Sequence, residues 1–108
     1  MEMNDYQEAA RTTAIYPPDQ ALNYLVPALT AEAGEVAGKW AKIQRDQGGA
    51  YDQQDADAMA DELGDVLWMV AMLAVELDKD LEGIAERNLA KLSSRQQRGV
   101  LGGSGDNR

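Results

Sequence analysis

Apolar residues recur along this chain at three- and four-residue steps, the spacing of one helix face. Leu29, Ala33, Val36, Trp40 and Ile43 form one stripe, and Met59, Leu63, Val66, Val70, Leu73 and Leu77 form another. Shorter stripes flank them. Met3, Tyr6, Ala10 and Thr13 predict a first helix, capped by Asn4 or Asp5 and running to about Ala14. Tyr16-Pro17-Pro18-Asp19 breaks it. A second helix lies between Gln20 and Arg45, and Pro27 either opens it or kinks it. Gln47-Gly48-Gly49-Ala50 ends it, and Tyr51 to Asp55 reads as a polar connector. A third helix spans about Gln54 to Leu77. Asp80 caps a fourth, with Leu81, Ala85, Leu89 and Leu92 on its apolar side. The pattern predicts an all-α, four-helix bundle-like domain over residues 1–95 and an irregular glycine-rich tail over 96–108. That tail is expected to be pinned only against a partner or a ligand.

The third helix carries a further message. Every residue from Val66 to Val75 is apolar, and Trp68 points about 180° away from the stripe. A helix that is apolar all round is buried all round. A subunit interface explains this most simply, so a homo-oligomer, dimer or tetramer, built through helix 3 is expected. The alternative is a deep intramolecular core with Trp68 covered by helix 1 or the tail.

Two stretches on the second and third helices echo each other. Glu32-Ala33-Gly34-Glu35-Val36 and Glu62-Leu63-Gly64-Asp65-Val66 both read acid, apolar, glycine, acid, valine. Acids three residues apart stand on one helix face. Measured from its stripe, the first acid of each pair lies about 60° to one side and the second about 120°. If the stripes pack, both pairs border one seam. Each mid-helix glycine costs ~1 kcal/mol against alanine, a poor choice for a merely solvated position. Four matched carboxylates of this kind make a cage for a hard divalent cation, with Glu32, Glu35, Glu62 and Asp65 as ligands.

Composition narrows the chemistry. The chain has 108 residues, no cysteine and no histidine, so thiolate, disulfide and zinc–histidine chemistry are excluded. Oxygen ligation remains, which suits Mg²⁺, Mn²⁺ or Ca²⁺. A formal charge of −9 disfavours non-specific nucleic-acid binding. An acidic chain still handles a polyphosphate where metal ions neutralise the site locally. The first fifteen residues are polar and mixed, and the longest apolar run, Val66 to Val75, is ten residues. It is too short to span a bilayer. A soluble, cytoplasmic protein is expected.

Other residues suit a phosphate ester. Asn88, Lys91 and Arg95 share one face of helix 4, where Lys and Arg one turn apart suit a phosphate clamp. Cations near a helix C-terminus also simply favour the helix dipole. Lys39 follows Glu35 by four and either pairs with it or reaches a phosphate. Tyr16 is the aromatic freest to stack on a base. Trp40 and Trp68 read as core.

In combination these residues resemble the MazG-like nucleoside triphosphate pyrophosphohydrolases. The resemblance rests on Glu32-x-x-Glu35 and Glu62-x-x-Asp65, on Leu-Gly-Asp-Val-Leu-Trp at 63–68, and on Asn88-Leu-Ala-Lys91-Leu-Ser-Ser-Arg95. Arg98-Gly99 and the Gly-Ser-Gly-Asp-Asn-Arg ending are similar to small single-domain bacterial and phage members, the latter acting in the host cytoplasm. The likeness runs from about Leu29 onward. One position departs: the family often has a further Glu directly before the first pair, and this chain has Ala31. The resemblance implies hydrolysis of a (d)NTP, a purine dNTP such as dGTP among the candidates, to (d)NMP and pyrophosphate. Mg²⁺, with Mn²⁺ able to substitute, would activate the water that attacks the α-phosphorus. Rival readings are a dUTP/dCTP- or phosphoribosyl-ATP-specific relative and a non-enzymatic acidic helical adaptor.

Overall fold

The structure is a computed structural model that describes residues 1–108, and it is all-α. Helix α1 spans Met3–Arg11, α2 Ala21–Gln47, α3 Gln53–Glu76 and α4 Leu81–Gln97, with a 3₁₀ turn at Pro18–Gln20 before α2.

Local chemistry sets the boundaries. Glu2, not Asn4 or Asp5, caps α1, and Asp5 reaches back to the Glu2 N–H at 3.2 Å. Asn4 instead joins α1 to α4, accepting from the Glu82 N–H at 3.0 Å. The first helix stops at Arg11, short of Ala14. The Thr12 and Thr13 hydroxyls donate at 2.7 Å to the carbonyls of Ala9 and Ala10, competing with further helical turns. Pro27 lies inside α2, well past its start at Ala21. Gly48 and Gly49, with φ of 62° and 86°, turn the chain towards α3. Asp52 caps α3, accepting from the Asp55 N–H at 2.8 Å, and Asp80 caps α4 through the Gly83 N–H at 2.6 Å.

The α2–α3 hairpin is the body of the protein. Leu25 and Met72 are its fully buried large side chains, with Met69, Ala71 and Ala74 around them. Helix α1 lies on α3. Gln7 locks the elbow between α1, α3 and α4: its amide donates to the Lys79 carbonyl at 3.0 Å and accepts from the Leu81 N–H at 2.8 Å. Trp68 is half-buried, donates to Thr13 Oγ1 at 2.9 Å and meets Tyr16 edge-on. The connection after α1, rather than helix 1 or the tail, therefore covers part of it.

Helix α4 departs from this body. Its first turns pack on α1, and it makes no comparable packing with α2 or α3. The radius of gyration is 16.9 Å, against about 13 Å for a compact chain of this length. Leu89 is 65% exposed and Leu92 is 40% exposed, so most of the apolar side of α4 has no cover within the chain. The tail folds back onto α4, whose Lys91 and Arg95 supply the countercharge for Asp106. No helix is long and apolar enough to cross a membrane.

Candidate metal centre

The seam between α2 and α3 is rotated from the expected one. The shielded α2 positions run Leu25, Leu29, Glu32, Val36, Lys39 and Ile43, while Ala33 and Trp40 are exposed. On α3 they run Asp55, Met59, Glu62, Val66 and Met69, while Leu63 is 56% exposed. On a helical wheel the shift is about 40–60° for each helix. Its cause lies at the far end of the hairpin. Leu25 and Met69 belong to the buried cluster there, on the rotated stripes, and rigid helices carry that rotation along to the acids. Glu32 and Glu62 thus stand in the seam itself.

Carboxylate oxygens of Glu32, Glu62 and Asp65 lie within 4.8 Å of one another. Glu32 and Glu62 are half-buried and Asp65 is exposed. Glu35 is exposed and stands outside this trio, one turn from Glu32 on the flank of α2. The trio repels itself. The Glu32 carboxyl is pushed up from its ordinary value, first by loss of water and then by the charges of Asp65, Glu35 and Glu62. Beside the other acids and without a cation, Glu32 resists its own ionisation. Hard oxygen donors from two helices, at this spacing and with net negative charge, fit Mg²⁺ or Mn²⁺.

Lys39 supplies partial compensation. Its Nζ lies 3.6 Å from Glu62 Oε1, across the seam, so its partner is not Glu35. Gly34 and Gly64 have nothing within 4 Å of where a Cβ would stand. Packing within the chain therefore does not require either glycine. Beside them Ala31, Gly34, Gly38 and Lys42 line a shallow groove with Glu35 and Lys39.

Aromatic residues flank the acids. Tyr16 stacks on Tyr24 at 5.4 Å and meets Trp68 at 6.3 Å. Trp68 follows Asp65 by three residues, so this cluster stands one helical turn from the trio. Tyr6 faces the site from α1, its phenol held above the ordinary value by burial and then by Asp65. The sequence marks Tyr6 and Tyr24 only as helical positions. Neither carries a motif that would single it out.

The basic face of α4 does not join the acids within one chain. Asn88 and Lys91 line a concavity of about 1050 Å³ between α1, the α3–α4 turn and α4, and none of the four acids does. Lys91 Nζ pairs with Asp106 Oδ1 at 3.4 Å, and Arg95 Nη2 with the same oxygen at 3.3 Å.

The chain matches the family model of the MazG nucleotide pyrophosphohydrolase domain over residues 20–100. It is 48% identical to the Gene 37 protein of Mycobacterium phage L5 over 114 aligned positions, which cover all of both chains. No solved structure matches it.

Proposed function

The chain belongs to the MazG nucleotide pyrophosphohydrolase family, and on that premise we propose that it hydrolyses a (d)NTP to (d)NMP and pyrophosphate with Mg²⁺ or Mn²⁺. The observation that carries this reading is the convergence of Glu32, Glu62 and Asp65 within 4.8 Å. Those three carboxylates would hold the ion, with Glu35 as the fourth acid at the edge. An ion held there would supply positive charge to offset that of the phosphates. The chain's own residues do the rest. Water adds at the α-phosphorus as the bond to the bridging oxygen breaks, pyrophosphate leaves, and the water's proton is released to solvent. Lys39, freed from Glu62 when a cation takes over that carboxylate, is available to a phosphate oxygen. Tyr16, backed by Trp68 and Tyr24, offers the base an aromatic surface near the acids.

Asn88, Lys91 and Arg95 complete the reading as phosphate ligands. Because α4 leaves its own α2–α3 body, a second copy is the economical source of this face. The surface of α3 open to that copy is Leu63 and Gly64 rather than Trp68. We place the enzyme in the cytoplasm.

A panel of NTPs and dNTPs with Mg²⁺ and Mn²⁺, followed for phosphate, pyrophosphate and monophosphate, tests the proposal. Metal-dependent pyrophosphate with monophosphate is expected. Orthophosphate with diphosphate, or no turnover, would sink it.

A further inference from the structure

The C-terminal tail is built, not frayed. The Arg108 guanidinium sits at its centre and donates to the carbonyls of Val100, Leu101, Gly102 and Gly105. Arg98 donates to the Arg108 carbonyl at 2.8 Å. Gly99, Gly103 and Gly105 take positive φ, 71°, 90° and 86°, which lets so short a segment close on one side chain. The result is a self-contained loop joined to α4 through Gly99.

This loop lies on Lys91 and Arg95. Asp106 Oδ1 accepts from both, and Arg95 Nη2 also donates to the Asp106 carbonyl at 3.1 Å. Arg95 is only 5% exposed, and its Nε is buried with no hydrogen-bond partner. An orphaned guanidinium donor is costly. A phosphate group presents several oxygens and can take Nε and Nη2 side by side, which the single Asp106 oxygen does not. The tail's contact is thus an incomplete substitute for a better anion. Asp106 itself is 85% exposed, so its two ion pairs are weak enough to be displaced.

We propose that the tail is an intramolecular competitor of the substrate. Asp106 occupies the Lys91–Arg95 pair when no polyphosphate is bound, and the loop swings off about Gly99 as a unit when one arrives. This rests on the reading that Lys91 and Arg95 receive phosphates, and the test separates the two ideas.

The probe is inorganic tripolyphosphate, titrated calorimetrically at fixed Mg²⁺ into the full chain. D106N removes the competing charge, and R108A releases the loop without touching the basic pair. Both are expected to bind about two- to fivefold tighter, the range that exposed ion pairs support. D19N, which removes one exposed negative charge on the turn before α2, is expected to bind as the unaltered chain does. K91A is expected to bind more weakly. Unchanged or weaker binding by D106N and R108A, with K91A weakened, overturns the competitor and keeps the clamp. An equal gain in D19N reduces the effect to net charge and also overturns it. Unchanged binding by K91A removes the clamp and the competitor together.

Discussion

Lys39 Nζ and Glu62 Oε1 face each other at 3.6 Å across the α2–α3 seam, and the lysine is the one cation paired with the acid trio. It acts as a built-in countercharge where a metal ion would compete for the same oxygen. Lys39→Met should therefore loosen the metal-free protein and tighten its hold on Mn²⁺. The pair is half-exposed, so the stability loss is ~0.2–1 kcal/mol, or about 1–5 °C in Tm. Thermal melts with and without Mn²⁺, beside a Mn²⁺ titration, check both signs. Weaker Mn²⁺ binding in the variant would contradict the countercharge role.

The four acids are not equivalent. Glu62 stands mid-seam, and Glu35 stands outside the trio. Losing one charge-assisted ligand costs ~1.5–3 kcal/mol, roughly ten- to a hundredfold in affinity. Glu62→Gln should show that loss in Mn²⁺ binding and lose turnover, with its helical circular-dichroism signal intact. Glu35→Gln should lose less metal affinity. Equal losses in the two variants would make Glu35 a full ligand.

The doubled acid motif was legible because helical spacing alone puts Glu32 with Glu35 and Glu62 with Asp65. The rotation of the seam was not. Ala33 and Leu63 fit the apolar stripes as well as their neighbours do, and it is the tertiary packing of buried positions such as Leu25, Ile43 and Met69 that turns the others inward. Trp68 was hidden for another reason: its cover, Thr13 and Tyr16, lies just past α1, where the periodic pattern runs on but the helix has stopped. The tail's fold depends on one arginine gathering four carbonyls, a contact that composition does not announce.

Asp55 ties the two acid-bearing helices together near their turn. Its carboxylate accepts from the Gln47 amide at 2.9 Å and from the Asp52 N–H at 3.1 Å. These bonds, Gln47 foremost, hold its carboxyl below the ordinary 3.8. An acid with a lowered folded pKa contributes stability that is present above its unfolded value and is lost as pH falls through the folded one. Asp55→Asn should therefore be less stable than the unaltered chain at pH 7. The gap should narrow as pH drops below about 3.8. Urea melts across that window measure it. A gap that does not change with pH would assign the effect to something other than ionisation.

Helix α4 supplies the sharpest test of the assembled site. It is amphipathic, yet beyond its first turns it makes no comparable packing with another helix of its own chain, and only the tail lies on it, at Lys91 and Arg95. Leu89, at 65% exposure, is the most exposed leucine of the chain, and Leu92 follows on the same side. Apolar surface of this kind on a lone helix marks a contact with another molecule. The partner proposed above is a second copy, whose α3 is open at Leu63 and Gly64. Leu89→Glu places a charge in that contact and should shift the protein to monomers in sedimentation velocity, because burying the new carboxylate is costly. Leu89 is not among the proposed ligands or phosphate contacts, so a site formed within one chain would survive the change. A site that borrows Asn88, Lys91 and Arg95 from a second copy would not. It should lose ~1.5–3 kcal/mol of transition-state stabilisation, roughly ten- to a hundredfold in kcat/KM, while Mn²⁺ binding to Glu32, Glu62 and Asp65 persists. Monomers with full turnover would show that the basic face is not delivered by a neighbour. An assembly unchanged by the charge would move the subunit contact away from α4.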